Sequence, residues 1–286
     1  MYAAAEQIAQ CDGFATAAVC DVLEVSRSAY YAWRNGAPSD RQQQEEEIIP
    51  LVRALFWKHR RRSGARRLAL DLADLGHRWS PRRVARIMKD QGLRAIQPKS
   101  FVPKTTDSKH SLGYSPNLLL NAPAPTKINE LWVGDITYIP LCGGSFCYLA
   151  ALMDRYSRYL VGWSLDETMT ENLVLATLRM AISDRQPPAN LIHHTDRGGQ
   201  YASTRYRALL RRAEFRQSMN RADDCYDNAF MESCFGTIKT ELEMTEYDNH
   251  RVARREIGDY IDYYHTERKH SSLGYLTPQQ FEQLQR

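Results

Sequence analysis

From Leu131 to Asp166 the chain runs through three apolar segments, 131–141, 146–154 and 159–166, separated only by Gly143-Gly144-Ser145 and Tyr156-Ser157-Arg158. Connections this short join antiparallel neighbours, so the segments are read as a three-stranded meander. Beyond them the pattern changes. Thr168-Met169-Thr170-Glu171 has capping-box spacing, and the helix it opens runs to about Ser183 with Val174, Leu178 and Ala181 on one face. Pro187-Pro188 ends that helix, Leu191–His194 reads as a short buried strand, Thr204–Arg212 as a helix and Phe215–Met219 as a weak last strand. Another helix surrounds Glu232. A meander followed by alternating helices and strands implies an α/β domain on one mixed five-stranded sheet.

Acidic residues interrupt this apolar frame at three places: Asp135 in LWVGDITYIP, Asp196 in LIHHTDRGGQY and Glu232 in YDNAFMESCFGTIKTEL. The order of elements is a ribonuclease H-like layout, in which the first and fourth strands lie side by side. Asp135 in the first strand and Asp196 just past the fourth then share one site. Glu232 approaches from its helix. Residues 228, 232, 236 and 239 lie on one helical face and read Asn228, Glu232, Gly236, Lys239, while Met231, Phe235, Ile238 and Leu242 form the apolar stripe beside it. Lys239 stands about 10 Å along the axis from Glu232, within reach of a phosphate. Gly236 offers a place for a DNA backbone to come close.

Clustered carboxylates are costly unless cations hold them together. Oxygen-only ligands suit Mg²⁺ or Mn²⁺ better than zinc, and a pair of such ions would activate the attacking hydroxyl and stabilise the leaving 3′ oxygen. Asp135, Asp196 and Glu232 are therefore the expected metal ligands and catalytic residues. Asp154, Asp223, Asp224 and Asp227 are read as structural. His193 and His194 flank the site, where one of them could orient water or phosphate. A general-base role for His194 is the weaker reading, because a metal already lowers the pKa of bound water. The Arg197-Gly198-Gly199-Gln200-Tyr201 loop has glycines that permit close approach to phosphate, with Arg197 as a DNA contact.

The charge is divided unevenly. Residues 1–125 hold 19 Lys and Arg against 12 Asp and Glu, and residues 126–286 hold 19 against 22. Such a front half suits DNA. Residues 15–34 read as two short helices with Val19, Val22 and Leu23 facing inward and Ser26 capping the second. After the polar run 41–47 a helix is expected from about Ile48 to His59, then a basic stretch KHRRRSGARR and a second helical pair, Arg66–Leu75 and Ser80–Gln91. Ser80 as cap, Pro81 at the first helical position and Gly92 as stop mark the last of these. Val84, Ile87 and Met88 face inward. Arg82, Arg83 and Arg86 face outward as DNA contacts, joined by Arg66 and Arg67. Residues 95–127 carry five prolines and read as a linker on or near DNA. The expected parts are 1–45 and 46–95, both helix-turn-helix-like, a linker 96–127, and a catalytic core 128–286 with a C-terminal helical end.

No apolar run reaches the ~18 residues of a membrane span, and MYAAAEQIAQCDGF lacks the layout of a secretory signal. The six cysteines show no zinc-like pairing and read as reduced thiols.

The acidic trio, with 35 residues before the glutamate and Lys239 seven beyond it, resembles the DDE triad of retroviral integrases and bacterial insertion-sequence transposases. HTDRGGQY, SMNRADDCYDNAFMESCFGTIKTEL and YIDYYHTERKHSSLGYLTPQQF are similar, more narrowly, to the second-frame transposase of the large two-frame insertion-sequence family. SGARRL and HRWSPRRVARIMKDQGL resemble that family's helix-turn-helix-like domain, and Tyr275 and Thr277-Pro278 its C-terminal end. Ser63-Gly64-Ala65 departs from the pattern, which more usually has an aromatic residue before the glycine. The resemblance implies a ribonuclease H-like core, Mg²⁺, recognition of terminal inverted repeats, 3′-end cleavage and strand transfer without a covalent protein–DNA intermediate. It also implies duplex DNA as partner (element ends and target), assembly of several copies on DNA, and fusion to or cooperation with an upstream-frame DNA-binding product. The bacterial cytoplasm, at the nucleoid, is the implied location. A nuclease of the same fold without strand transfer and a catalytically idle DNA-binding regulator are the rival readings.

Overall fold

A computed structural model describes residues 1–11, 13–36, 40–97, 113–120, 122–221, 229–243 and 246–285. The chain divides into two compact units, Met1–Ala95 and Ile96–Arg286.

The first unit is helical: α1 (Tyr2–Cys11), α2 (Thr16–Val22), α3 (Arg27–Arg34), α4 (Asp40–Lys58), α5 (Ala65–Asp74) and α6 (Pro81–Asp90). Helix α1 was not anticipated. Its apolar residues are mostly alanines, excellent helix formers that leave little periodic signal. Its Ala5 packs with Val19, Cys20 and Tyr30, whereas Val22, expected inside, is 82% exposed. Ser26 does cap α3, accepting from the Ala29 N–H. Helix α4 begins eight residues before Ile48, because the Gln/Glu run is itself helix-favouring and Pro50 is accommodated inside. Ile48, Val52 and Phe56 of α4 meet Leu68 and Leu72 of α5 and Val84, Ile87 and Met88 of α6. The Ser80 hydroxyl accepts from the Arg83 N–H at 3.3 Å, Pro81 occupies the first turn, and Gly92 at φ +66° follows the helix end.

The second unit is built on β1 (Leu131–Pro140), β2 (Phe146–Asp154), β3 (Leu160–Asp166), α7 (Glu171–Arg185), β4 (Ile192–Thr195), α8 (Gly199–Ala202), α9 (Thr204–Arg212), β5 (Arg216–Met219), α10 (Ala229–Glu241), α11 (His250–Thr266) and α12 (Pro278–Gln283). The sheet order is β3-β2-β1-β4-β5, antiparallel through the first three strands and parallel from β1 through β4 to β5. Side chains alternate across it. Leu131, Val133 and Ile139 face α10 and α11, while Trp132, Ala150 and Leu152 face α7 and α9. The expected cap of α7 is replaced: Thr170 precedes the helix without a side-chain bond, and Thr168 donates instead to Asp166.

Part of the proline-rich stretch is not a free linker. The Leu118 N–H donates to the Ser218 hydroxyl at 2.9 Å and the Ser115 hydroxyl to Gln217 at 2.8 Å, so these residues cover the outer side of β5. Pro98 and Pro103 lie outside the described residues. At the other end, α11 buries Ala253, Ile257, Tyr260, Ile261 and Tyr264 against the sheet. Helix α12 starts with a Thr277–Gln280 capping box and Pro278.

Candidate active site

Strand β1 pairs with β2 along its whole length but with β4 only through Leu131–Val133. Continued two residues further, that parallel register sets Asp135 beside Asp196, at the point where β4 has ended. Asp135 is half-buried and its backbone neighbour Ile136 donates to it at 2.8 Å. Burial pushes its carboxyl well above the usual aspartate range, and the charges of Asp196 and, less strongly, Glu232 push in the same direction. The Ile136 N–H and the Lys239 ammonium pull it back. Asp196, Glu232 and Lys239 thus all act on Asp135.

Two glycines shape this corner. The Gly198 N–H donates to Asp196 Oδ1 at 3.0 Å, and a Cβ on Gly198 would stand 3.1 Å from that oxygen. The close approach seen at this glycine is to the Asp196 carboxylate. Gly134 is packed hard, since a Cβ there would meet Leu152 Cδ2 at 2.5 Å.

Helix α10 buries Met231, Cys234, Phe235 and Ile238 and leaves Glu232 and Gly236 exposed, as its two stripes imply. Lys239 is half-buried with its Nζ 4.3 Å from the centre of the Tyr138 ring. Burial lowers its pKa and Asp135 raises it. A Cβ on Gly236 would meet nothing within 4 Å. Asn228 lies outside the described residues, as do Asp223, Asp224 and Asp227.

Other candidates have structural duties. His194 bonds through Nδ1 to the Ser218 hydroxyl at 2.8 Å and through Nε2 to Asn220 Oδ1 at 2.7 Å, which ties β4 to β5 and occupies both ring nitrogens. His193 bonds through Nε2 to the Tyr206 hydroxyl at 2.7 Å, and burial pushes its pKa down to about 3. Neither histidine is placed as a base. Asp154 is fully buried and accepts from the N–H groups of Asn129, Tyr156 and Ser157 at 2.6, 2.9 and 3.0 Å, holding the turn after β2. Arg197 is engaged by protein: its Nε donates to the Asn220 carbonyl at 2.7 Å and its guanidinium lies 4.5 Å over the Tyr114 ring.

Tyr201 is a residue the sequence did not single out. It is buried, and its hydroxyl stays protonated far into alkali through burial and, secondarily, through the charges of Asp135 and Asp196. Its place at the end of HTDRGGQY gave no sign that the ring would be buried against Tyr206.

In the first unit Arg66 and Arg82 are exposed. Arg67 donates to the Arg62 carbonyl at 3.2 Å. Arg83 is half-buried, stacked 3.9 Å over Trp79 and 3.4 Å from Glu45, and Arg86 pairs with the same glutamate. The outward row expected on α6 is therefore partly neutralised from within its own unit. Ser63, where the family pattern has an aromatic, is buried at the turn into α5.

The donor set fits a hard divalent cation: carboxylate oxygens whose mutual repulsion is already expressed at Asp135. Among the described residues, however, no three His, Cys, Asp or Glu side chains stand close enough to hold one ion. Charge links Asp196 and Glu232 to Asp135 without a closed three-ligand group among the described residues.

Residues 125–225 match the integrase core domain, residues 213–278 match a second integrase core domain model, and residues 43–101 match an HTH-like domain. An uncharacterised 31 kDa protein of insertion element IS600 from Shigella sonnei is 40% identical over 92% of this chain and 97% of its own length. Transposase InsF for insertion sequence IS3A of Escherichia coli (strain K12) is 39% identical over 94% of each chain. Among solved structures, the HTLV-2 integrase catalytic core domain in complex with magnesium aligns with 54% of this chain and 96% of its own, at 18% identity and a TM-score of 0.45.

Proposed function

This chain belongs to the IS3 family of insertion-sequence transposases, and on that footing we propose that Asp135, Asp196 and Glu232 form its catalytic centre for 3′-end cleavage and strand transfer. In the first step water attacks a phosphodiester at the element end, breaking the P–O3′ bond and freeing a 3′ hydroxyl. In the second, that hydroxyl attacks a target phosphodiester, forming a new P–O3′ bond and releasing a target 3′ hydroxyl. Asp135, Asp196 and Glu232 would hold two divalent ions, Mg²⁺ or Mn²⁺, which would activate the attacking hydroxyl and neutralise charge at the leaving oxygen.

The protein's own part is to hold and orient. Asp135 and Asp196 are fixed by strand register, Glu232 comes from α10, and Lys239 stands over Tyr138 to meet a phosphate beside them. Tyr201, in α8 just after Asp196, is buried, which supports direct attack on DNA over a covalent tyrosyl intermediate. Exposed Arg66 and Arg82 of the first unit grip the duplex of the element ends, and several copies assemble to join two ends to a target. No described helix is long and apolar enough to cross a membrane.

The observation that carries this reading is the β1–β4 register, which, continued two residues, sets Asp135 beside Asp196; the charges of Asp196, Glu232 and Lys239 felt at the Asp135 carboxyl support it. The test incubates the chain with an oligonucleotide bearing the element's own end, with Mg²⁺ or with chelator. Joined products are expected only with the metal; cleavage without joining would favour a nuclease of this fold, and binding alone a regulator. Glu232→Gln should abolish both steps while DNA binding persists. Joining by that variant would remove Glu232 from the site.

A further inference from the structure

Helix α10 is held by an apolar stripe, by cation–ring contacts of Phe230 with Arg155 and Arg158 and of Lys239 with Tyr138, and by an ion pair at its end. Its apolar stripe packs against the sheet, and burial of that sort is non-directional: it sets depth but resists a small roll or slide only weakly. The far end is held differently. Glu241, the last residue of α10, is 8% exposed and accepts from Arg268 Nε at 3.1 Å to each oxygen and from Nη2 at 2.9 Å. It also accepts from the Tyr260 hydroxyl at 2.9 Å. Arg268 is equally buried, with Nη1 3.3 Å from His270 Nε2 and the Tyr264 ring 5.5 Å away. These partners come from YIDYYHTERKH, a motif that the chemistry at the carboxylates leaves without a task.

Burying two charges is expensive, and an apolar pair of the same volume holds elements together at least as well. What a guanidinium fork on a carboxylate adds is direction, because it fixes both a distance and a plane. We propose that the Glu241–Arg268 pair is a brace that sets the roll and axial position of α10, and through it where Glu232 and Lys239 stand relative to Asp135 and Asp196. Both are positioning residues. Nine residues, about 13 Å of helix, separate Glu241 from Glu232, so the brace touches no reacting group. A roll of about 20° moves a side-chain end by about 2 Å at a helix radius of about 6 Å. A misplacement of about 1 Å can cost about 100-fold in rate. The inference rests on the assignment of Glu232 and Lys239 made above.

The test replaces the pair by apolar residues in the full chain, Glu241→Leu with Arg268→Met, and separately makes Arg268→Lys. Thermal unfolding, Mn²⁺ binding followed by electron paramagnetic resonance, and kcat and KM for an end oligonucleotide are measured on each. The double variant is expected to melt at or above the wild-type temperature, yet to bind Mn²⁺ about 10-fold more weakly and lose about 100-fold in kcat with little change in KM. Wild-type Mn²⁺ affinity and kcat in that variant would overturn the brace and leave a purely structural pair. If the double variant does not fold, Arg268→Lys decides. It keeps the charge and loses the fork, so weaker Mn²⁺ binding at unchanged melting temperature supports the brace and unchanged binding overturns it. Glu232→Gln separates the two levels: if it still binds Mn²⁺ and joins DNA, the site assignment fails, whereas an inert Glu232→Gln beside a fully active double variant removes only the brace.

Discussion

Asp135 stands on β1 and Asp196 just beyond β4, two residues past the last rungs of the parallel ladder that joins those strands. Glu232 rides on a helix that follows seven residues outside the described structure and is fastened to the sheet by side chains alone. The strand-borne pair is fixed by backbone and the helix-borne acid by packing. Asp135 carries a raised pKa, from burial first and then from the charges of Asp196 and Glu232. The buried Glu241–Arg268 pair holds the C-terminal end of α10 by directed contacts.

Two substitutions sharpen the contrast. The larger effect is expected from Asp135→Asn, which removes the strained charge. A carboxyl whose folded pKa is raised contributes stability that is complete below the ordinary aspartate value of about 4 and is lost as pH rises through the folded value. The metal-free wild-type core should therefore weaken from mildly acidic to neutral pH, and Asp135→Asn should not. At neutral pH the variant should be more stable by about 1 kcal/mol, or ~2–4 °C in melting temperature, and a saturating divalent ion should shrink the gap. A variant that melts lower at every pH would mean that Asp135 serves the fold.

Gly236→Ala addresses the helix side. Nothing lies within 4 Å of the added methyl, so the helix should gain up to about 1 kcal/mol. If DNA passes over this face, the same methyl should weaken joining. A variant that is more stable and fully active would show that the bare face of α10 is open for some other reason.

Much of this was legible in the sequence, for reasons that differ between regions. The meander showed itself through alternation and tight turns, and the acids stood out because they interrupt apolar runs. Both stripes of α10 followed from helical spacing. Less could be read where the signal is weak or distant. Alanines concealed α1, and the tyrosines of α11 are buried yet carry hydroxyls that blur its pattern. Nothing local shows that the Gly198 loop folds back on Asp196. Arg83 and Arg86 look like surface charge until Glu45, about forty residues earlier, is placed beside them. The brace joins residues 27 apart in sequence, and no periodicity links them.

The central claim is that two strand-borne aspartates and one helix-borne glutamate together hold the metal. The most direct measurement titrates Mn²⁺ into the full chain and into Asp135→Asn, Asp196→Asn and Glu232→Gln, counting bound ions by electron paramagnetic resonance. The wild type should take up about two ions per chain. Each variant should bind at least about 10-fold more weakly while keeping its fold by circular dichroism. Wild-type Mn²⁺ binding in any one of the three would remove that residue from the site and contradict the account.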